Sequence, residues 1–118
     1  MSEADEQWGK RLKQARQAAN LSQKALGIEA GIDAFVASTR INRYELGIHK
    51  ADLLTVRKLA EVLKVPMAFF YADTDDEIAE LLFKYGKADE AVRLRIQALL
   101  ADQSAYSGQT TTSSADCG

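Results

Sequence analysis

Apolar residues recur along this chain at spacings of three and four, in short runs separated by turn signals, which is the pattern of amphipathic helices. The first run predicts a helix from about Glu6 to Ala19, with Trp8, Leu12, Ala15 and Ala19 on its inner face; Asn20 permits a left-handed turn at its end. Ser22 is an N-cap for a second helix that offers Ala25, Leu26 and Ile28 for burial and stops at Gly31. Ser38 is a further N-cap, for a third helix through Glu45 that turns Ile41 and Tyr44 inward and ends at Gly47. Asp52 caps a fourth, whose stripe is Leu53, Val56, Leu59, Ala60 and Leu63. Val65-Pro66 stops it, and Pro66 opens a short fifth helix through Phe69, Phe70 and Tyr71. After the acidic break Asp73 to Asp76, one stripe is Ile78, Leu81, Leu82 and Tyr85 and another is Val92, Ile96, Leu99 and Leu100. Gly86 lies between them, which reads as a helical hairpin over 77–101. No strand alternation and no internal repeat is present, so the expected fold is all-α.

The segment 32–37 fits no single pattern. Asp33 is suited to capping a short turn that contains Phe35 and Val36. Residues 104–118 are rich in Ser, Thr, Gly and Gln and are expected to be a disordered tail. The expected organisation is an acidic N-terminal tail at 1–7, a helical domain at 8–72, the hairpin at 73–103 and that tail.

At 118 residues, 47% hydrophobic and 27% charged, the chain has the size and balance of one soluble globular domain. No apolar run approaches the roughly 20 residues of a membrane span, and the N-terminus is acidic rather than a basic lead-in to an apolar stretch. The expected location is therefore cytoplasmic, with no membrane partner. The lone cysteine, Cys117, cannot staple the fold or build a metal site. Charge adds more. Residues 8–64 carry 11 Lys/Arg against five acids, a net +6, while 65–118 carry −5 and 1–7 carry −3. One part of the chain is thus suited to face a polyanion.

Four spaced elements fall inside that basic segment. They are Arg11-Leu12-Lys13-Gln14-Ala15-Arg16, Leu21-Ser22-Gln23, Gly31-Ile32, and Ile41-Asn42-Arg43-Tyr44-Glu45-Leu46-Gly47. Together they resemble the lambda-repressor/Cro-type helix-turn-helix of the XRE family, and Leu59-Ala60-Glu61-Val62-Leu63-Lys64-Val65-Pro66 fits its fourth and fifth helices. The resemblance covers about residues 8–72. It implies a five-helix lambda-repressor-like DNA-binding domain, followed here by the C-terminal helical hairpin.

Under that resemblance Gly27 lacks even a β-carbon, so the third helix is expected to cross the second closely, and Gly31 supplies the turn between them. Ser22 leaves a helix N-terminus facing phosphate, and Gln23 reaches a phosphate or a base edge. The recognition helix is Ser38 to Glu45. Ser38, Thr39, Asn42 and Arg43 face outward, with Arg40 flanking; Arg pairs with guanine, Asn with adenine, and hydroxyls with several partners. His49 and Lys50 in the following loop are expected to touch phosphate. His49 has no second histidine or structural thiol near it, so no metal role is assigned. Glu45 is expected to form a structural ion pair with Arg16, in keeping with the family pattern.

The chain departs from that pattern in two places. About four extra residues, roughly one helical turn, lie between Gln23 and Glu45 and are assigned to Ala34–Ala37. They either lengthen the turn or extend the recognition helix backwards. Phe35 and Val36 are read as a buried wedge, with an exposed apolar contact as the alternative. Ala51-Asp52 also stands where a proline is usual. Phe69, Phe70 and Tyr71 are read as core, because single-strand binders want aromatics exposed in a basic groove.

The expected function is sequence-specific binding of duplex DNA at a pseudo-palindromic operator, as a homodimer that represses transcription, with the hairpin as the dimer contact or a cap on its own domain. The alternative is a protein-interaction module such as an antitoxin, docked on a partner protein through the hairpin or tail. No enzyme is expected: there is a single histidine, no structured cysteine and no Gly-rich phosphate loop. No cofactor is implied.

Overall fold

The computed structural model describes residues 2–72 and 75–102, and these are all-helical. In chain order the elements are α1 (Glu3–Ala18), α2 (Gln23–Glu29), α3 (Ala37–Glu45), α4 (Leu53–Leu63), a 3-10 turn (Met67–Tyr71), α5 (Asp76–Lys87) and α6 (Glu90–Ala101). They divide into two compact units, Met1–Lys87 and Ala88–Gly118. The tail expected at 104–118 and the start of the acidic break, Asp73, lie outside the described residues.

Several boundaries differ from the sequence reading, each for a local reason. Glu3 to Asp5, expected ahead of the first helix in the acidic tail, form the opening turn of α1. Ser2 caps the helix, its Oγ accepting from the Asp5 amide at 3.1 Å. Glu3, Asp5 and Glu6 then sit at the positive end of the helix dipole, where carboxylates are favourable. Ser38 is the second residue of α3 and not its cap; Val36 occupies the cap position and makes no side-chain bond there. The fifth element is a 3-10 turn, with Pro66 as the residue preceding it. Gly86, expected to separate two helices, lies within α5, where an added Cβ would come within 2.9 Å of the Lys64 carbonyl and of Pro66.

The surplus residues lengthen the turn before α3. Asp33 organises it: its Oδ1 accepts from the Phe35 amide at 2.8 Å and its carbonyl from the Val36 amide at 3.0 Å. This places Ala37 at the buried position and leaves both apolar residues out, Phe35 at 95% exposure and Val36 at 37%. The buried-wedge expectation is therefore corrected. Ala37 goes inward because Gly27 admits it; a Cβ on Gly27 would stand 2.7 Å from the Ala37 Cβ. Close approach of α2 and α3 is built from this pair.

The core of the first unit is Leu12, Leu26, Ile41, Val56, Leu59, Leu63 and Phe70, all fully buried. Trp8 leans on Phe70 with ring centroids 5.3 Å apart, and Phe69 meets Phe83 of α5 at 5.5 Å. Phe69 and Phe70 are core residues, whereas Tyr71 is more than half exposed. Ile28 and Leu53, expected on buried stripes, are exposed. Arg11, by contrast, is buried; it donates to Gln14 at 3.2 Å and to Asp76 at 3.0 Å, tying α1 to α5. Asp75 caps α5 by accepting from the Ile78 amide at 3.0 Å, and the Lys87 ammonium donates to the Leu63 carbonyl.

In the second unit Asp89 caps α6, accepting from the Val92 amide at 2.9 Å. No residue of α6 is buried.

Candidate nucleic-acid interface

Two helix starts and one loop carry the residues singled out from the sequence. Ser22 caps α2, its Oγ accepting from the Ala25 amide at 2.9 Å, which commits that oxygen and leaves the side chain at the exposed helix end. On α3, Ile41 and Tyr44 are buried and Ser38, Thr39, Arg40, Asn42 and Arg43 are exposed. The outward face of this helix thus carries two guanidinium groups, one amide and two hydroxyls, and no acid. The single acid of α3, Glu45, is turned inward, where its side chain keeps 3% exposure.

Glu45 is the hub of a network. Arg16 of α1 holds it with two parallel bonds, Nε to Oε2 at 2.5 Å and an Nη to Oε1 at 3.1 Å. The other Nη of Arg16 donates to the Leu21 carbonyl at 3.0 Å, so the guanidinium also fixes the entry to α2. Paired arms of this kind set orientation as well as charge balance. The Glu45 carboxylate has a third partner, unforeseen from the sequence: Gln23 Nε2 donates to its Oε1 at 3.0 Å. The same Nε2 donates to Asn42 Oδ1 at 3.1 Å. A continuous path therefore runs from Arg16 through Glu45 and Gln23 to Asn42 on the exposed face. It leaves Gln23 Oε1 as an acceptor and Asn42 Nδ2 as a donor.

The loop after α3 brings His49 and Lys50 to the surface. Lys50 stands 3.7 Å from the Asp5 carboxylate of α1 while remaining 79% exposed, a weak and well-solvated pairing. Asp5 itself is held below the usual carboxylate range, first by its hydrogen bond with Ser2 and, less, by the charge of Lys50. Among the described residues no group of three His, Cys, Asp or Glu is placed to hold a metal ion. Lys10 and Lys13 line the same groove as Gln23, Asn42 and Ile48. Sequence reasoning passed over these two lysines; their place on the outer side of the first helix, opposite Leu12 and Ala15, was the available signal.

A short α2 crossing α3 through a glycine, with a polar, acid-free face on the second helix, is the arrangement of a helix-turn-helix. Comparison with known proteins agrees: residues 12–70 match the helix-turn-helix family model. The chain belongs to the XRE-type helix-turn-helix family, a class of DNA-binding transcriptional regulators. Among solved structures, the transcriptional regulator BswR is 40% identical, with a TM-score of 0.73 over 85% of this chain and 98% of its own. An uncharacterized HTH-type transcriptional regulator of Sinorhizobium fredii (strain NBRC 101917 / NGR234), y4wC, is 30% identical over 70 residues. That match takes in 59% of this chain and 46% of the relative, so the chain spans about half the length of that protein.

Proposed function

We propose that this chain is a repressor of transcription that acts in the cytoplasm and binds a pseudo-palindromic operator as a homodimer, with α3 in the major groove. The observation that carries the reading is the exposed face of α3, polar throughout and free of acids, in a segment of net charge +6. Arg43 pairs with a guanine, Ser38 and Thr39 offer hydroxyls, and Arg40 flanks them. Gln23 and Asn42 act as a unit, presenting one acceptor and one donor, the complement of an adenine edge. Ser22, His49 and Lys50 lie along the phosphates and set register, joined by Lys10 and Lys13. No cofactor and no catalysis belong to this reading.

Dimerisation is supported by apolar side chains left in water: Ile78 and Leu81 on α5, and Leu94, Leu99 and Leu100 on α6. A single module of this kind buries about 600–1,000 Å² on DNA, and two half-sites make up the selectivity it lacks. The same exposed leucines of α6 favour a second reading, a partner protein bound as an antitoxin binds its toxin. Recovery of a stoichiometric partner with the chain from its own cells selects that reading, and recovery of the chain alone selects the homodimer.

Binding to duplex DNA is expected to weaken steeply with salt. Each phosphate neutralised adds about −0.9 to the slope of log affinity against log salt, and about six contacts cost on the order of a thousandfold between 50 and 200 mM. A flat response in that titration is incompatible with the proposal.

Arg43→Ala and Lys50→Ala are expected to fail in different ways. Loss of the base contact costs about 1–3 kcal/mol and relaxes preference at one position, whereas loss of the phosphate contact weakens all sequences alike. Titrations of both variants on matched and scrambled duplexes separate the roles; the same change for both variants on the two duplexes would overturn the assignment.

A further inference from the structure

Phe35 is an almost fully exposed aromatic on a turn that is otherwise well specified. The residue keeps 95% exposure. Its backbone is held by the Asp33 carboxylate at 2.8 Å, and the next amide, of Val36, is held by the Asp33 carbonyl at 3.0 Å. Ala37, packed against Gly27, then locks the start of α3. The turn thus spends its hydrogen bonds on presenting an apolar ring to solvent, immediately ahead of the helix whose exposed face is polar and acid-free. It also lies within the extra residues that set this chain apart from the usual motif.

We infer that Phe35 reads a thymine by contact with its 5-methyl group, as an additional specificity-determining residue of the DNA interface. This inference rests on the proposed placement of α3 in the major groove. Of the groups exposed there, the thymine methyl is the one apolar feature, and phenylalanine is among the side chains that meet it. Position fits as well. Residues near the N-terminus of a recognition helix contact base edges. Phe35 lies in the turn two residues ahead of Ala37, the first residue of that helix. The thymine is therefore expected just beyond the bases met by Ser38 and Thr39.

The test uses the full chain and a duplex selected by it from a random pool. Each thymine in one half-site is replaced in turn by uracil, which removes the methyl and leaves every hydrogen-bonding group in place. At one position, beyond the bases read by Ser38 and Thr39, the wild-type chain is expected to lose about fourfold in affinity, the worth of one buried methyl. Phe35→Ala is expected to bind the thymine and uracil duplexes equally, and Phe35→Leu to keep part of the preference. Position 35 makes no core contact, so the melting temperature of both variants serves as a folding control. Indifference of the wild type to uracil at every position overturns the inference while leaving DNA binding standing. So does a uracil penalty that persists in Phe35→Ala. Failure of the wild type to select any duplex overturns the DNA reading itself, and this inference with it.

Discussion

Overpacking by a single methyl group at position 9 is expected to cost the first unit about 3 kcal/mol before the gain in helix propensity, at the upper end of such costs. Gly9 lies where α1 crosses the end of α3. A Cβ there would stand 2.2 Å from the Glu45 carbonyl oxygen, 2.6 Å from its carbon and 2.7 Å from the Tyr44 carbonyl oxygen. All three are backbone atoms, so no rotamer change relieves the clash and the helices must move apart. Alanine gains about 1 kcal/mol over glycine in a helix interior, which leaves a net loss of about 2 kcal/mol for Gly9→Ala. For a domain of this size that is a fall of on the order of 10 °C in melting temperature. Lys10→Ala, its exposed neighbour on the same helix, serves as the control and is expected to shift stability by less than about 0.5 kcal/mol. An unchanged or raised melting temperature for Gly9→Ala would show that α1 and α3 do not approach this closely.

What could be read from the sequence was what one helix determines by itself. The periodic stripes of Leu12, Leu26, Ile41, Val56, Leu59 and Leu63 mark the core because a helix repeats every 3.6 residues. Ser22 and Asp52 are recognisable as caps because their bonds reach only three residues along. Gly27 was legible as a close crossing only through the family resemblance, and the structure leaves no room there for a β-carbon beside Ala37. The misreadings arose where local chemistry and composition point in different directions. Glu3 and Asp5 look like a tail by charge, yet the same charge favours a helix start. Phe35 and Val36 look like core by hydrophobicity, but the Asp33 turn decides their direction. The burial of Arg11 depends on Asp76, 65 positions away, and no local pattern reports it. The link from Glu45 through Gln23 to Asn42 joins neighbouring helices, and no spacing within either helix reports it.

That link sets the second large effect. Glu45 is nearly enclosed and Arg16 keeps 12% side-chain exposure, so removing either partner strands a charge in a poorly solvated site. Arg16→Met or Glu45→Leu is expected to cost about 3–5 kcal/mol, a large share of the roughly 5–15 kcal/mol that holds a small domain. Arg16→Met with Glu45→Leu leaves no orphan charge and is expected to recover much of the loss, so the two changes are far from additive. Recovery of stability does not restore the reading of DNA. Without the Glu45 carboxylate, Gln23 loses one of its two acceptors, and the amide that orients Asn42 is no longer held in place. The double variant is therefore expected to fold, to keep the salt dependence set by its phosphate contacts, and to lose about 1–3 kcal/mol of discrimination at the single base read by Gln23 and Asn42. Gln23→Ala, which leaves the ion pair intact, is expected to lose the same discrimination with little loss of stability. Thermal melts of the two singles and the double, followed by titrations on the selected duplex and on one altered at that base, separate the two roles of Glu45. Additive losses in the melts would mean that Arg16 and Glu45 do not act as a pair. Full discrimination by a stable double variant would mean that Gln23 holds Asn42 without help from the acid beneath it.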